Sequence, residues 1–260
     1  MKKTSLLAGA ASIAFAATFP AFAADMSAPP IYKAPVAAAP APPAWFVEGR
    51  LGASFGQFDD LKFLNPVGTA FTLNQTSGNY IILNNTNRSA TSWTGAGAVG
   101  YYFTNQIFGK VGYQYFGAFR ANGFAAFPGG NFRQDLKTDA HGILVGLGGD
   151  FNLTDAVFVQ PTAEIGVGFL RSTGQQGANL GVPDNFPAAS RTNFIVGGGL
   201  GVGYHATRNF DVIASGNYYW LGRADTGATG NPAPGNMNPG EQLQAKLGVF
   251  TATVGGRFKF

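Results

Sequence analysis

The chain contains no cysteine, which removes disulfides, thiolate nucleophiles and Cys-based zinc sites at once. Charge is scarce as well. Asp, Glu, Lys and Arg make up 12% of residues, about half the usual share and too few to keep a water-facing surface in solution. The formal charge of +4 includes Lys2 and Lys3 and is +2 without them, so the basic field that nucleic-acid binding needs is missing. With two histidines, His141 and His205, there is little from which to build an imidazole-based metal or catalytic site. After residue 23 no apolar run is long enough for a membrane helix.

What is present starts with an export signal. Residues 1–23 carry two lysines, an apolar run and a closing Ala21-Phe22-Ala23, the pattern of a cleaved secretory signal. Residues 24–43 are rich in Pro and Ala, which form no packed core and favour an extended spacer. Residues 44–260 are then one domain, with many of the 38 glycines and a chain-wide aromatic share of 14%. Low charge without a membrane helix points to a membrane β-barrel, which crosses lipid on half-apolar strands.

Hydropathy alternates with period two in eight segments, the signal of strands with one apolar face. In Trp45 to Phe55, Trp45, Val47, Leu51 and Phe55 share one face, Glu48, Arg50 and Ser54 the other. The remaining segments are Trp93 to Phe103, Ile107 to Ala118, Thr138 to Phe151, Val157 to Leu170, Thr192 to His205, Phe210 to Leu221 and Leu243 to Phe260. Each is about ten residues or longer, the length of a tilted bilayer-crossing strand. The predicted fold is an all-β, eight-stranded antiparallel up-and-down transmembrane β-barrel. Short connections (Thr104 to Gln106, Asn152 to Ala156, Ala206 to Asn209) alternate with long ones (Gln57 to Ser89, Phe119 to Lys137, Arg171 to Ser190, Gly222 to Gln242). Short turns mark the periplasmic side of outer-membrane barrels, which predicts periplasmic termini. A small hairpin is expected in the first long connection, Ala70 to Leu73 against Tyr80 to Leu83.

The segment Trp93-Thr94-Gly95-Ala96-Gly97-Ala98-Val99-Gly100 contains a literal GxGxxG. That spacing binds dinucleotides only where it ends a strand and opens a helix. Here Tyr101-Tyr102-Phe103 continues the strand, so the glycines read as barrel wall and no cofactor is expected. Asn74-Gln75-Thr76, Asn84-Asn85-Thr86 and Asn87-Arg88-Ser89 match the glycosylation sequon by chance in an Asn-rich stretch.

Five features resemble the small outer-membrane β-barrel proteins of alphaproteobacteria, which share the barrel of the OmpA transmembrane domain. They are Ala24-Asp25, Tyr32-Lys33-Ala34-Pro35, a first strand opening at Trp45, the turn Gly149-Asp150-Phe151-Asn152-Leu153-Thr154-Asp155, and the terminal Gly255-Gly256-Arg257-Phe258-Lys259-Phe260. The resemblance implies an abundant envelope protein that supports membrane integrity and external contact. It also implies that the outward row Val254, Phe258 and Phe260 is the C-terminal signal read by the barrel assembly machinery.

The candidate site is the set of charges on the faces turned from lipid: Glu48, Arg50, Lys110, Glu164, Arg257 and Lys259. An eight-stranded barrel is only wide enough for side chains to fill, so these groups are expected to pair as a polar core. The expected function is structural and surface-interacting, without catalysis or metal, with outer-membrane lipids, the assembly machinery and surface ligands as partners. A narrow porin for small solutes is the alternative reading. A barrel lipid hydrolase using His141 or His205 is a third.

Overall fold

The computed structural model describes residues 45–64, 76–77, 80–127, 130–177, 184–230 and 239–260. The expected signal (1–23), spacer (24–43) and Ala70 to Leu73 lie outside them. Eight long strands form the wall: β1 Trp45–Leu64, β2 Ser89–Tyr102, β3 Ile107–Phe127, β4 Gly130–Gly149, β5 Val157–Gly177, β6 Asp184–His205, β7 Phe210–Asp225 and β8 Gln242–Lys259. Each pairs antiparallel with its sequence neighbours, and β8 returns to pair with β1, so the sheet closes on itself. Closure leaves no unpaired edge, the condition for exposing a sheet to lipid.

The three short turns share one construction. Phe103, Leu153 and Ala206 each donate a backbone N–H to the carbonyl four residues ahead. Thr104 and Thr154 each accept two backbone N–H groups on their hydroxyls within the turn, and Thr207 accepts one. These threonines satisfy donors that a tight turn would otherwise strand. The same end holds the seam, where Trp45 and Phe260 exchange backbone hydrogen bonds of 3.2 and 2.9 Å.

Outward faces between two aromatic levels are apolar: Leu51, Val99, Val145, Ile165, Val202 and Val254 are among the exposed side chains. Trp45 meets Tyr101 edge-on at 5.1 Å near the turn end, and Trp93 lies 4.4 Å from Tyr115 near the other. Aromatic girdles flanking an apolar band are the outer dress of a membrane barrel.

The strands do not stop where the band stops, which corrects the expected long connections. β1 runs to Leu64, β3 and β4 pair as far as Phe127 and Gly130, and Gln176 of β5 pairs with Asp184 of β6. Much of Phe119 to Lys137 and Arg171 to Ser190 is therefore hydrogen-bonded sheet. Gly222 to Gln242 loses its first residues to β7. The physical reason is an inversion of the alternation. Beyond the girdle Arg120, Lys137 and Arg171 face out, while Phe119, Leu136 and Leu170 are buried inside. Bulges between Asp59 and Lys62, Tyr115 and Gly117, Phe186 and Ala189, and Trp220 and Gly222 shift the register there. Tyr80–Ile82 pairs with Thr76–Ser77 and with β1 at Lys62 to Leu64.

The glycine motif resolves into wall geometry. A side chain added at Gly100 would collide with the Phe46 ring at 2.0 Å, so this glycine makes room for an aromatic inside the barrel. Gly97 faces outward, with nothing within 4 Å of an added carbon.

Candidate functional site: the ion-paired interior

The interior has two layers. Toward the hairpin end it is mainly apolar, a core that includes Phe58, Phe63, Phe116, Phe119, Leu136, Leu170, Ile195, Leu221 and Leu247, with buried polar pairs such as Gln134–Gln176 and Thr138–Ser172 among it. Toward the turn end it is charged. The inward positions of β1, β3, β5 and β8 deliver Glu48, Arg50, Lys110, Glu164 and Arg257 to one cluster, because side chains two apart share a face.

Arg257 is fully buried. Its Nε and Nη2 donate to Glu48 Oε2 at 3.1 and 2.8 Å, and its Nη1 donates to Asp150 Oδ2 at 2.8 Å and Tyr102 Oη at 2.6 Å. Tyr102 in turn donates to Asp150. The guanidinium carbon lies 4.5 Å from the Phe46 ring centre and 4.7 Å from that of Phe108, close enough for cation–π attraction.

Glu48 spans the barrel's charges. Its Oε1 is 2.7 Å from Arg50 Nη2 and 3.6 Å from Lys110 Nζ. Lys110 reaches on to Glu164 at 2.6 Å, and Glu164 accepts a hydrogen bond from Tyr219 at 2.6 Å. Arg50 Nη1 donates to Ser215 and Nη2 to Gln160, both at 2.9 Å, and Gln160 donates to Asp150 at 2.7 Å. Three carboxylates (Glu48, Asp150, Glu164) thus face three cations (Arg50, Lys110, Arg257), and the cluster is formally neutral. Balance of this kind is what lets charges stay buried. The cavity beside it measures about 30 Å³, room for roughly one water.

Lys259 belongs to a separate group at the turn-end rim. It lies 3.1 Å from Asp211, whose other oxygen is 2.7 Å from His205 Nδ1. The remaining nitrogen of His205 faces Asn152 at 3.5 Å. Both imidazole nitrogens therefore have partners, and the ring stacks on Phe158 at 4.7 Å. His141 points outward between Tyr113 and Phe169 at 5.7 and 5.4 Å. Val254, Phe258 and Phe260 form an exposed row on the outer face beside the seam.

Sequence reasoning missed Asp150, Tyr102 and Tyr219 as members of the cluster. Asp150 read as a turn residue, although its place one step past β4 was the available signal. The tyrosines were hidden among aromatics on both faces, and their hydroxyls carry no periodic mark.

A family model described as an outer membrane protein beta-barrel domain matches residues 33–258. No curated protein matches the chain. Solved structures similar to it include neisserial surface protein A, with 18% identity over 83% of this chain and 97% of that one, TM-score 0.38. The outer membrane protease OmpT of Escherichia coli shows 10% identity over 84% and 97%, TM-score 0.48. The outer membrane protein OprG of Pseudomonas aeruginosa shows 14% identity over 83% and 96%, TM-score 0.44.

Proposed function

Because the chain belongs to the outer membrane protein beta-barrel domain family, we propose that this bacterial outer-membrane protein acts as a structural and surface-contact element of the envelope. The observation that carries the reading is the neutral cluster around Glu48 and Arg257, which occupies the lumen with side chains and leaves about 30 Å³ beside it. A porin needs an aqueous passage, and barrels with one have about sixteen strands. A hydrolase needs a histidine free to take a proton from a nucleophile. His205 contacts Asp211, Asn152 and Phe158, His141 lies between Tyr113 and Phe169, and among the described residues neither ring is hydrogen-bonded to a hydroxyl nucleophile, so neither reading is favoured.

Orientation follows from the connections. Short turns and the seam at Trp45 and Phe260 belong on the periplasmic side, and the hairpins that continue past the apolar band belong outside the cell. Residues 1–23 direct export, residues 24–43 form a periplasmic spacer, and the row Val254, Phe258 and Phe260 is the edge that the assembly machinery engages. The projecting hairpins are the surface offered to external ligands.

A deletion strain tests the proposal. Loss of the protein should raise uptake of a hydrophobic dye and sensitivity to detergent, and both should be restored by the wild-type chain and by a His141→Ala, His205→Gln variant. An unchanged barrier would contradict the structural role. Failure of the histidine variant, despite normal folding, would favour the hydrolase.

A further inference from the structure

Past the hairpin-side girdle the outer face of β3, β4 and β5 turns from apolar to cationic within a few residues. On β4 the exposed Val145 and Ile143 give way to His141, then to Asp139, Lys137, Asp135 and Arg133. Arg120 of β3 is the register partner of Lys137, and Lys137 is that of Thr173 on β5. Arg120, Arg133, Lys137, Thr173, Gln175 and Asn185 line a cleft of about 580 Å³, and Arg171 stands beside it as the register partner of Asp139.

Like charges directly opposite on one sheet face are destabilising. Elsewhere on the rim the protein supplies the counter-charge itself. Arg223 and Lys246 are also register partners, but Asp225 lies 3.2 Å from Arg223 and Asp60 lies 2.8 Å from Lys246. At the cleft Asp135 is committed to Arg133 at 2.9 Å, and Asp139 is a loose 3.9 Å from Lys137. Arg120 and Arg171 carry no ion pair among the described residues. Four cations against two carboxylates leave the cleft positive, with Arg120 and Lys137 as like charges directly opposite on one sheet face.

We propose that this cleft binds the acidic headgroup of an outer-leaflet glycolipid; this rests on the reading that the hairpin end faces outward. The guanidinium of Arg120 and the ammonium of Lys137 hold a phosphate or carboxylate, as Arg and Lys do in anion sites generally. Thr173, Gln175 and Asn185 offer a hydroxyl and two amides to sugar hydroxyls. Beyond Asp139 and His141 on the same face lie Phe169, Tyr113, Ile143 and Val167, an apolar surface for acyl chains that a free anion would leave unused.

The test uses the full-length barrel purified in detergent and followed by native mass spectrometry and thermal melting. The probes are a diphosphorylated acylated glucosamine disaccharide, its dephosphorylated form, phosphatidylglycerol and inorganic phosphate. The wild type should retain the phosphorylated glycolipid and melt several degrees higher with it, whereas R120Q/K137Q should bind it at least tenfold more weakly. R223Q/K246Q should bind the phosphorylated glycolipid as tightly as the wild type does. Equal binding of phosphatidylglycerol, of the dephosphorylated form or of phosphate alone would overturn the proposal, as would undiminished binding by R120Q/K137Q. Orientation is read separately. Ala228→Cys, the sole thiol in the chain, should react with an impermeant maleimide on intact cells. No reaction would overturn the orientation, and with it an outer-leaflet ligand, even if the cleft binds glycolipid in detergent.

Discussion

Arg257 and Glu48 are register partners on the last and first strands, and two guanidinium nitrogens of Arg257 donate to one oxygen of Glu48. The bond therefore ties the seam that closes the barrel. Removing Glu48 or Arg257 alone leaves a net charge in a cluster of three cations and three carboxylates, and an uncompensated buried charge typically costs about 3 to 5 kcal/mol. Removing both leaves Arg50 and Lys110 against Asp150 and Glu164, which is balanced again. Glu48→Ala and Arg257→Ala should each lower unfolding stability by that order, and the double variant should recover a large part of the loss. Additive effects in a double-mutant cycle would show that the two do not act as a pair.

The apolar layer behaves differently, because its cost is volume rather than charge. The Phe119 ring is fully buried and fills the space that Gly56 leaves, where an added carbon would meet it at 2.4 Å. Phe119→Ala should destabilise the barrel by about 3 to 5 kcal/mol, the usual range for an emptied aromatic site. Gly56→Ala should also destabilise it, by overpacking. Denaturant unfolding monitored by tryptophan fluorescence checks both; a loss below about 1 kcal/mol for Phe119→Ala would mean that the layer is loosely packed.

Asp60 sits outside the apolar band at the β1 bulge with φ of 52°. A left-handed conformation favours Gly or Asn over Ala, so Asp60→Ala should make the rim easier to cleave by added protease and Asp60→Gly should not. Lys246 hydrogen-bonds its carboxyl and holds it below the ordinary aspartate value. A depressed folded value means that the pair's contribution is present above the unfolded value, about 4, and is lost as pH falls through the lower folded one. An NMR titration of the carboxyl should show that midpoint below 4; a midpoint at or above 4 would remove the pair.

Phe260 lies in the exposed row beside the seam, with its ring 6.5 Å from that of Phe258. If the assembly machinery engages this edge, deleting Phe260 should reduce the folded, heat-modifiable form in cells while refolding of purified protein in detergent stays normal. Equal losses in both settings would make Phe260 a structural residue only.

The membrane zone of this fold was legible because one rule held throughout: residues such as Leu51, Ile165 and Val254 face lipid while Glu48 and Glu164, three residues and one residue from Leu51 and Ile165, face in. The rule reverses past the girdle, where Leu136 and Leu170 turn inward and Lys137 and Arg171 outward. Bulges at Asp59 and Gly117 add residues that break the count. A reading built on outward apolar faces therefore ends the strands too early. In the site, the charged members announced themselves by standing on the polar face, but the aromatic and tyrosine surroundings of Arg257 come from three other places in the chain. Phe46, Tyr102 and Phe108 stand on three consecutive strands, and Arg257 joins them only when β8 closes on β1, so no local pattern marks the set.

Single-channel recording of the purified, refolded barrel in a planar bilayer tests the closed interior most directly. The filled lumen predicts no stable open level in the wild type, with openings brief and rare, and an increase when Arg257→Ala or Glu48→Ala breaks the cluster. A steady conducting state in the wild type that these substitutions leave unchanged would contradict the account.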